Sequence, residues 1–283
     1  MASFTNFATL SYNGGTTNSN IVTGEILEAL TAVKTAVSAN YSAGDRITYA
    51  LSLVNTGTAA ITDYTVTDNL GGYTVGANTV YPLAYNAGTV RYYINGVLQT
   101  APTVTAGPPL TVTGLTVPAG GSAVLIYETT ATPVAPLATG SSITNTATIT
   151  GGGLTTPITA QATVETANSA ELSISKALSP TTVTENGQIT YTFVISNTGN
   201  TEATATGNVV VTDTFDPILR NIAVTYNGTA WTEGTNYTYN AATGVFTTLA
   251  GQITVPAASF TQNTDGTFTV TPGTATLVIT GTV

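Results

Sequence analysis

Two lysines are the residues of this 283-residue chain whose type and spacing point most directly to chemistry. Lys34 and Lys176 each end a short segment of alternating residues, LTAVK and LSISK. A lysine that such a segment turns inward loses its hydration, and the neutral amine that burial favours is a nucleophile. The alternative is that both lysines point into solvent as ordinary charges of an edge strand.

The composition excludes most other reactive groups. The chain has no histidine and no cysteine, so histidine acid–base chemistry, disulfides, thiol nucleophiles and zinc sites of these residues are excluded. A net charge of −9 with five Lys and Arg residues argues against a nucleic-acid groove. No apolar run approaches the roughly 18 residues of a membrane span, so we expect no membrane insertion. The scattered carboxylates lack metal-binding spacing, so we expect neither a metal nor a cofactor.

Short strand patterns run along the whole chain. ITYALSLVN and ITYTFVIS are examples, rich in Val, Ile, Thr and Tyr and bounded by Gly, Pro and Asn. Regularly spaced strands of this kind predict an all-β fold of β-sandwiches. The segment EILEALTAVKTAV also fits a short helix, but the repeat described next favours a strand.

The lysine segments belong to two tandem copies of one domain. Lys34 and Lys176 are separated by 142 residues, and the motifs ITY and NTG that follow them recur at the same separation. VTDNL, which contains Asp68, matches VTDTF, which contains Asp213, after a three-residue insertion in the second copy. Self-similarity over this length indicates a repeated structural unit.

The second copy lacks a closing segment that the first copy has, and a similar segment stands at the front of the chain. The first copy continues through residues 142–165, whereas the second stops at Val283, just after its equivalent of the preceding strand. Residues 3–26 resemble residues 142–165, with Asn6 aligned with Asn145. We therefore predict a permuted tandem with an N-terminal donor-strand arm (1–27), a complete first sandwich (28–166) and a second sandwich without closing strands (167–283).

A sandwich without closing strands exposes core surface and unpaired backbone groups, and an outside strand is the natural remedy. We expect the arm of a second molecule to supply it, through Phe4, Asn6, Ala8, Leu10 and Tyr12. Each molecule then has an arm and an acceptor groove, and such a head-to-tail contact grows into a fibre. Two alternatives remain: the arm folds back into its own chain, or the natural C-terminus is missing from this sequence.

The motifs LxxxK, GDxITYxLxLxNTG, VTDxL and ITNTATI together resemble the Ig-like conserved repeat of bacterial cell-surface proteins, over nearly the whole chain. Similar surface and pilin domains carry a spontaneous isopeptide bond from a lysine of the first strand to an asparagine of the last, beside a buried Asp or Glu. The matching residues are Lys34, Asp68 and Asn145 in the first copy and, across two molecules, Lys176, Asp213 and Asn6.

The chemistry that this resemblance implies is a single self-modification without turnover. The neutral amine attacks Cγ of the asparagine and releases ammonia, while a protonated aspartate donates a hydrogen bond to the side-chain carbonyl. Asp63 and Glu128 are rival carboxylates, but neither has an acidic counterpart in the second copy. The aspartates also fit an ordinary role as caps of backbone N–H groups, and the asparagines as hydrogen-bonded strand residues.

The sequence thus predicts a structural protein and not an enzyme. We expect the subunit of an extracellular bacterial fibre on a cell or spore surface, with itself as partner and an unknown protein as surface anchor. One alternative is a tandem stalk or binding module of a monomeric adhesin. Another is a carbohydrate-active enzyme, which needs a pair of carboxylates in a cleft. Trp231 with Tyr237 and Tyr239 fits a sugar-stacking platform, although such residues more often pack a sandwich.

Overall fold

The chain folds into two β-sandwich units, which confirms the predicted all-β fold class. The computed structural model describes residues 2–26 and 29–283. Unit 1 consists of Met1–Ala135 and Ser142–Glu165, and unit 2 of Pro136–Ser141 and Thr166–Val283. The predicted division into an arm and two sandwiches stays a prediction, because its first boundary, at residues 27 and 28, lies outside the described residues. In the described part of the chain, no helix has the length and apolar character to cross a membrane.

The N-terminal residues form an antiparallel hairpin, which we call the arm hairpin. Its strands are β1 (Ala2–Asn6), β2 (Thr9–Tyr12), β3 (Gly15–Asn18) and β4 (Val22–Ile26), with β1 paired to β4 and β2 to β3. Asn13 and Gly14 both have positive φ, 46° and 78°, as a tight two-residue hairpin turn requires. Every residue from 4 to 23 is exposed, so this hairpin packs against nothing in the described chain.

Unit 1 is built on two six-stranded sheets whose apolar residues alternate inward. One sheet has the order β13-β12-β16-β7-β5, with β11 also on β16, and the other has the order β14-β15-β8-β17-β18-β6. The bounds are β5 (Leu30–Ala36), β6 (Asn40–Tyr41), β7 (Arg46–Asn55), β8 (Ile61–Asp68), β9 (Tyr73–Val75), β10 (Asn78–Val80), β11 (Leu83–Tyr85), β12 (Arg91–Ile94), β13 (Val97–Leu98), β14 (Thr103–Thr105), β15 (Leu110–Val117), β16 (Ser122–Ala131), β17 (Ser142–Gly151) and β18 (Ile158–Thr166).

Strands β17 and β18 complete the second of these sheets, and we call them the closing hairpin. β17 lies between β8 and β18, with Ala147 opposite Asp68 of β8. Alternate residues of β17 (Ile143, Asn145, Ala147 and Ile149) are buried and face the opposite sheet. The closing hairpin therefore seals one side of the core of unit 1.

Unit 2 repeats the first sheet of unit 1 and only part of the second. A five-stranded sheet has the order β19-β20-β28-β22-β23, and a three-stranded sheet the order β21-β25-β24. The bounds are β19 (Leu172–Ser179), β20 (Gln188–Asn197), a 3-10 helix (Ala205–Gly207), β21 (Thr212–Thr214), β22 (Arg220–Tyr226), β23 (Thr229–Trp231), β24 (Tyr237–Asn240), β25 (Val245–Thr248), β26 (Ser259–Gln262), β27 (Phe268–Thr271) and β28 (Gly273–Thr282).

One side of unit 2 is open where the closing hairpin covers unit 1. Within the described residues β21 pairs with β25 alone, whereas its repeat counterpart β8 lies between β15 and β17. Every residue of β19 is exposed, including Leu172, Ile174 and Leu178, which share a face with Lys176. We call this face of β19, together with the free edge of β21, the open face.

Candidate functional site

The centre of unit 1 contains a buried ion pair between its two sheets. Lys34 lies on β5, where the alternation of apolar and polar residues turns it inward, and Asp68 ends β8. The Nζ atom of Lys34 is 2.5 Å from Oδ2 of Asp68, and both side chains are fully buried. Oδ1 of Asp68 accepts a hydrogen bond from the backbone N–H of Leu70 at 2.9 Å.

Two tyrosines surround this ion pair. The hydroxyl of Tyr127 donates a hydrogen bond to Oδ2 of Asp68, and the rings of Tyr49 and Tyr127 stack with centroids 5.8 Å apart. The Nζ atom of Lys34 lies 4.7 Å from the ring centroid of Tyr49 and 5.8 Å from that of Tyr127. Cation–π contact with the two rings adds to the attraction of Asp68 for the ammonium group.

Asn145 completes the cluster from β17. It is fully buried, and in the described chain neither its Oδ1 nor its Nδ2 makes a hydrogen bond. Its amide lies close enough to the hydroxyls of Tyr49 and Tyr127 to lower their pKa slightly, against the larger effect of burial. An unpaired buried amide costs roughly 1–3 kcal/mol, which makes this side chain the one whose placement most needs an explanation.

The environment makes the ammonium group of Lys34 easier to deprotonate. Burial lowers the pKa of Lys34 from 10.5 to about 8, and the charge of Asp68 only partly opposes this effect. Burial likewise raises the pKa of both Tyr49 and Tyr127. The tyrosine hydroxyls therefore keep their protons at neutral pH, while burial weakens the hold of Lys34 on its proton.

The structure thus brings the three residues predicted for the first copy into one buried cluster: an amine, a carboxyl group and an unpaired amide. These are the groups that a condensation of Lys34 with Asn145 needs, and the fold holds all three on strands of a closed sandwich. Their role in such a bond stays a prediction. Sequence reasoning missed Tyr127, because Ile279 takes its place in unit 2, opposite Tyr191 as Tyr127 is opposite Tyr49.

Unit 2 contains the equivalent ion pair of lysine and aspartate, but this pair is partly exposed. Nζ of Lys176 is 2.5 Å from Oδ2 of Asp213, but 40% of the lysine side chain and 18% of the aspartate side chain are exposed. Three rings lie under the ammonium group, those of Tyr191 at 4.5 Å, Phe193 at 5.4 Å and Phe215 at 5.5 Å. This site has an amine and a carboxyl group in place and is open to solvent.

The third predicted residue for unit 2, Asn6, lies on β1 of the arm hairpin and is exposed. The other predicted donor-strand residues are equally exposed. Phe4 precedes Asn6 on β1, Ala8 lies between the strands, and Leu10 and Tyr12 lie on β2. More than half of the surface of Phe4, Leu10 and Tyr12 is accessible, so the arm hairpin has an apolar face with nothing against it.

The rival residues lie at the surface or pack into the core. Asp63 is exposed, and Glu128 is half-exposed with Arg46 at 3.7 Å. The ring of Trp231 stacks on Tyr226 at 4.8 Å, which fits packing rather than a free sugar platform. No group of three or more acidic residues among those described is close enough to hold a metal ion.

Comparisons with known proteins find distant structural likenesses. No protein-family model matches the chain, and no curated protein matches it. The major pilin subunit BcpA of Bacillus cereus is 14% identical with a TM-score of 0.35, over 96% of this chain and 73% of that one. The pilus backbone RrgB of Streptococcus pneumoniae is 13% identical with a TM-score of 0.36, over 86% and 55%.

The N-terminal domain of the Streptococcus gordonii adhesin Sgo0707 is 14% identical with a TM-score of 0.36 over 48% of this chain. The match spans only 32% of that adhesin chain. Likenesses at this level are partial, and no function follows from them.

Proposed function

We propose that this protein is the subunit of an extracellular bacterial fibre, in which the arm hairpin of each molecule completes unit 2 of the next. The observation that carries the proposal is the coincidence of two features in one chain. One is a preformed hairpin with an exposed apolar face, and the other is a sandwich with an open face of the kind that a hairpin closes in unit 1.

The register of the arm hairpin supports this pairing. In the closing hairpin Asn145 lies opposite Ala162, and in the arm hairpin Asn6 lies opposite Val22. Toward their open ends both hairpins have Thr opposite Thr and Ser opposite Glu, separated by one pair whose residue types differ. From Ser3 to Asn6 the arm hairpin therefore pairs like the closing hairpin, whereas beyond Asn6 its register shifts by one residue at β2 and β3.

The open face supports it from the other side. A free strand edge and a row of exposed apolar side chains are costly in water, and burial recovers roughly 25 cal/mol per Å² of apolar surface. If the arm hairpin binds β21 as the closing hairpin binds β8, Ala8 lies opposite Asp213 and Asn6 lies two residues further along. Asn6 then has the same relation to Asp213 that Asn145 has to Asp68.

We further propose that an isopeptide bond forms at each site. At the first, the ammonium of Lys34 passes a proton to Asp68, and the neutral Nζ attacks Cγ of Asn145. The bond from Cγ to Nδ2 of Asn145 breaks, and Nδ2 leaves as ammonia with one hydrogen from Nζ. Asp68 keeps the first proton, because an ionised carboxylate without a cation is costly in this buried place.

At the second site Lys176, Asp213 and the Asn6 of another molecule react in the same way. The result is a covalent polymer whose subunits stay joined even when they unfold. Such a linkage serves the purpose of a disulfide in a chain that has no cysteine. A location outside a bacterium, on a cell or spore surface, fits a fibre whose few charges are replaced by Thr, Ser, Asn and Gly.

Removal of residues 1–27 tests the assembly. We expect the full chain to give a ladder of multimers in denaturing electrophoresis, and the shortened chain to stay monomeric. A peptide of residues 1–27 added to the shortened chain should then attach to it in a one-to-one ratio. The peptide has an arm but no acceptor, so no further molecule can join. A full chain that stays monomeric under all conditions favours the monomeric adhesin instead.

A further inference from the structure

We propose that the hydroxyl group of Tyr49 is the hydrogen-bond donor that stabilises the negative charge on Oδ1 of Asn145 while Lys34 forms its bond. This inference rests on the proposed isopeptide bond of unit 1 and names a further residue that the reaction uses. It follows from two buried polar groups that the ion pair of Lys34 and Asp68 leaves without partners.

Tyr49 places its hydroxyl group in the buried cluster. It lies on β7, which pairs with both β5 and β16, and its side chain is fully buried. The centroid of its ring lies 4.7 Å from Nζ of Lys34, and the ring stacks on that of Tyr127. Within the described residues, the hydroxyl of Tyr49 makes no hydrogen bond. A buried hydroxyl without a partner is unfavourable, so phenylalanine would suit packing alone better at this position.

Asn145 places the matching acceptor beside this donor. Its Oδ1 and Nδ2 atoms likewise make no hydrogen bond in the described part of the chain. The amide is close enough to the hydroxyl of Tyr49 to lower the pKa of that tyrosine slightly, although the two groups are not aligned as a hydrogen bond. Burial raises the pKa of Tyr49 by more, so the hydroxyl keeps its proton and serves as a donor. An unpaired donor and an unpaired acceptor thus lie close together in the core.

The other groups of the cluster have different roles. The hydroxyl of Tyr127 donates its hydrogen bond to Oδ2 of Asp68. Nζ of Lys34 is the attacking atom, and Nδ2 of Asn145 belongs to the leaving group. Asp68 becomes a donor only after it takes the proton of Lys34. The hydroxyl of Tyr49 is therefore the donor that is in place before the reaction begins.

The reaction creates the charge that this donor suits. After Lys34 passes a proton to Asp68, the lone pair of Nζ adds to Cγ of Asn145, and the π electrons of the carbonyl move to Oδ1. One hydrogen passes from Nζ to Nδ2. The electron pair on Oδ1 then restores the carbonyl, and Nδ2 leaves as ammonia. Tyr49 keeps its proton throughout. A donor aimed at a developing charge contributes most in the transition state, and its hydrogen bond is often poorly aligned beforehand.

The repeat retains this tyrosine but not Tyr127. Tyr191 stands 142 residues after Tyr49, as Lys176 stands after Lys34. The ring centroid of Tyr191 lies 4.5 Å from Nζ of Lys176, close to the 4.7 Å of the pair in unit 1. An isoleucine takes the place of Tyr127 in unit 2. The tyrosine that both lysine sites share is thus the one that we propose as the donor.

Removal of the hydroxyl tests the inference. All chains carry Lys176→Ala, which confines the proposed loss of ammonia to unit 1, and cell-free synthesis lets intact mass follow this loss from the start. We expect Tyr49→Phe to slow the loss by about a hundredfold, as removal of one donor to a developing oxyanion does. Tyr64→Phe is the matched control and should leave the rate unchanged. Tyr64 is also fully buried in unit 1, and its hydroxyl makes no hydrogen bond among the described residues.

Stability separates this role from a purely structural one. In an Asn145→Ala background, where no bond forms, Tyr49→Phe removes an unpaired buried hydroxyl and should not lower the midpoint of denaturant unfolding. A residue that only supports the fold would slow the reaction by destabilising the fold. We therefore expect slower bond formation together with undiminished stability.

Bond formation at the parent rate in Tyr49→Phe overturns the inference. An equal slowing in Tyr64→Phe, or a lower unfolding midpoint in Tyr49→Phe, overturns it as well. The proposed bond survives each of these results, because the parent chain still loses ammonia. A parent chain that never loses ammonia overturns the proposed bond together with the inference.

Discussion

The two lysine sites have the same ion pair, but they differ in how deeply it is buried. In both units the lysine Nζ lies 2.5 Å from the aspartate Oδ2. In unit 1 the side chains of Lys34 and Asp68 are fully buried, whereas 40% of the side chain of Lys176 is exposed. The comparison indicates that the strands common to both copies align the ion pair, while the closing hairpin, present in unit 1, accounts for the burial of its pair.

Burial decides reactivity more than distance does. An exposed ammonium beside a carboxylate is stable in water and is a poor nucleophile, because it keeps its proton. We therefore expect Lys176 of unit 2 to form no bond until an arm hairpin covers the site and supplies Asn6. The site in unit 1 has its cover and its asparagine within the same chain, so we expect its bond to need only the folding of that chain.

Replacement of either lysine by alanine should remove one of the two bonds and leave the other intact. This is the largest expected effect. Lys176→Ala should abolish the ladder of multimers and leave the loss of one ammonia at unit 1, seen by intact mass. Lys34→Ala is the matched control, and it should keep the ladder while the internal loss of ammonia disappears. If both variants keep the ladder, or both lose it, the two sites do not have the separate roles proposed.

Acylation of free amines should sharpen the comparison in an Asn145→Ala chain that lacks residues 1–27, because Lys34 cannot form its bond there. An activated ester should modify Lys176 at least about tenfold faster than Lys34, because reagents reach a buried group only through opening of the fold. The lowered pKa of Lys34 acts in the opposite direction, but access outweighs it. Peptide mapping by mass measures both rates. Equal rates contradict the burial difference between the units.

The smallest expected effect is a pH dependence of stability in an Asn145→Ala variant without residues 1–27, where Lys34 stays a free amine. Its pKa is lowered from 10.5 to about 8, so the unfolded chain binds a proton that the folded chain lacks between these values. Stability should therefore rise with pH from about 8 to about 10, by up to about 1.4 kcal/mol per pH unit.

The ionisation of buried tyrosines limits the pH range of this effect, and the parent chain provides its control. Above about pH 10 the buried tyrosines reverse it, because burial raises the pKa of groups such as Tyr49 and Tyr64 and the unfolded chain then loses protons first. The control is the parent chain without residues 1–27, in which the bond removes the amine. Denaturant unfolding at several pH values measures both curves, and a rise of equal size in the control contradicts the assignment to Lys34.

Repetition explains how much of the fold was predictable. The two copies share LxxxK, ITY, NTG and VTD, and the first two of these motifs lie on paired strands in both units. Within the segment that also fitted a helix, Leu30–Ala36 form strand β5, as the repeat indicated. Of the short strands between Tyr73 and Thr105, only β12 was predicted, from the pattern VRYYING. The others have two or three residues, and this stretch has no clear counterpart in the second copy.

The candidate site was likewise predictable only where the two copies share its residues. Comparison of the copies draws attention to residues that both have, which brought out Lys34 and Asp68. It cannot bring out Tyr127, because unit 2 has Ile279 there, and a single tyrosine in an alternating strand has no signature in sequence. The unpaired amide of Asn145 is also invisible in sequence, since it depends on the packing of two sheets.

The most direct test of the central claim is a mixture of isotopically light and heavy chains. A protease that cleaves after glutamate releases the arm as residues 1–25 and the lysine segment as residues 172–185. Assembly from mixed monomers should give these two peptides joined through Asn6 and Lys176, in light–heavy as well as uniform combinations. Joined peptides of uniform label only would show that the arm closes its own chain, and peptides that are never joined would show that no covalent fibre forms.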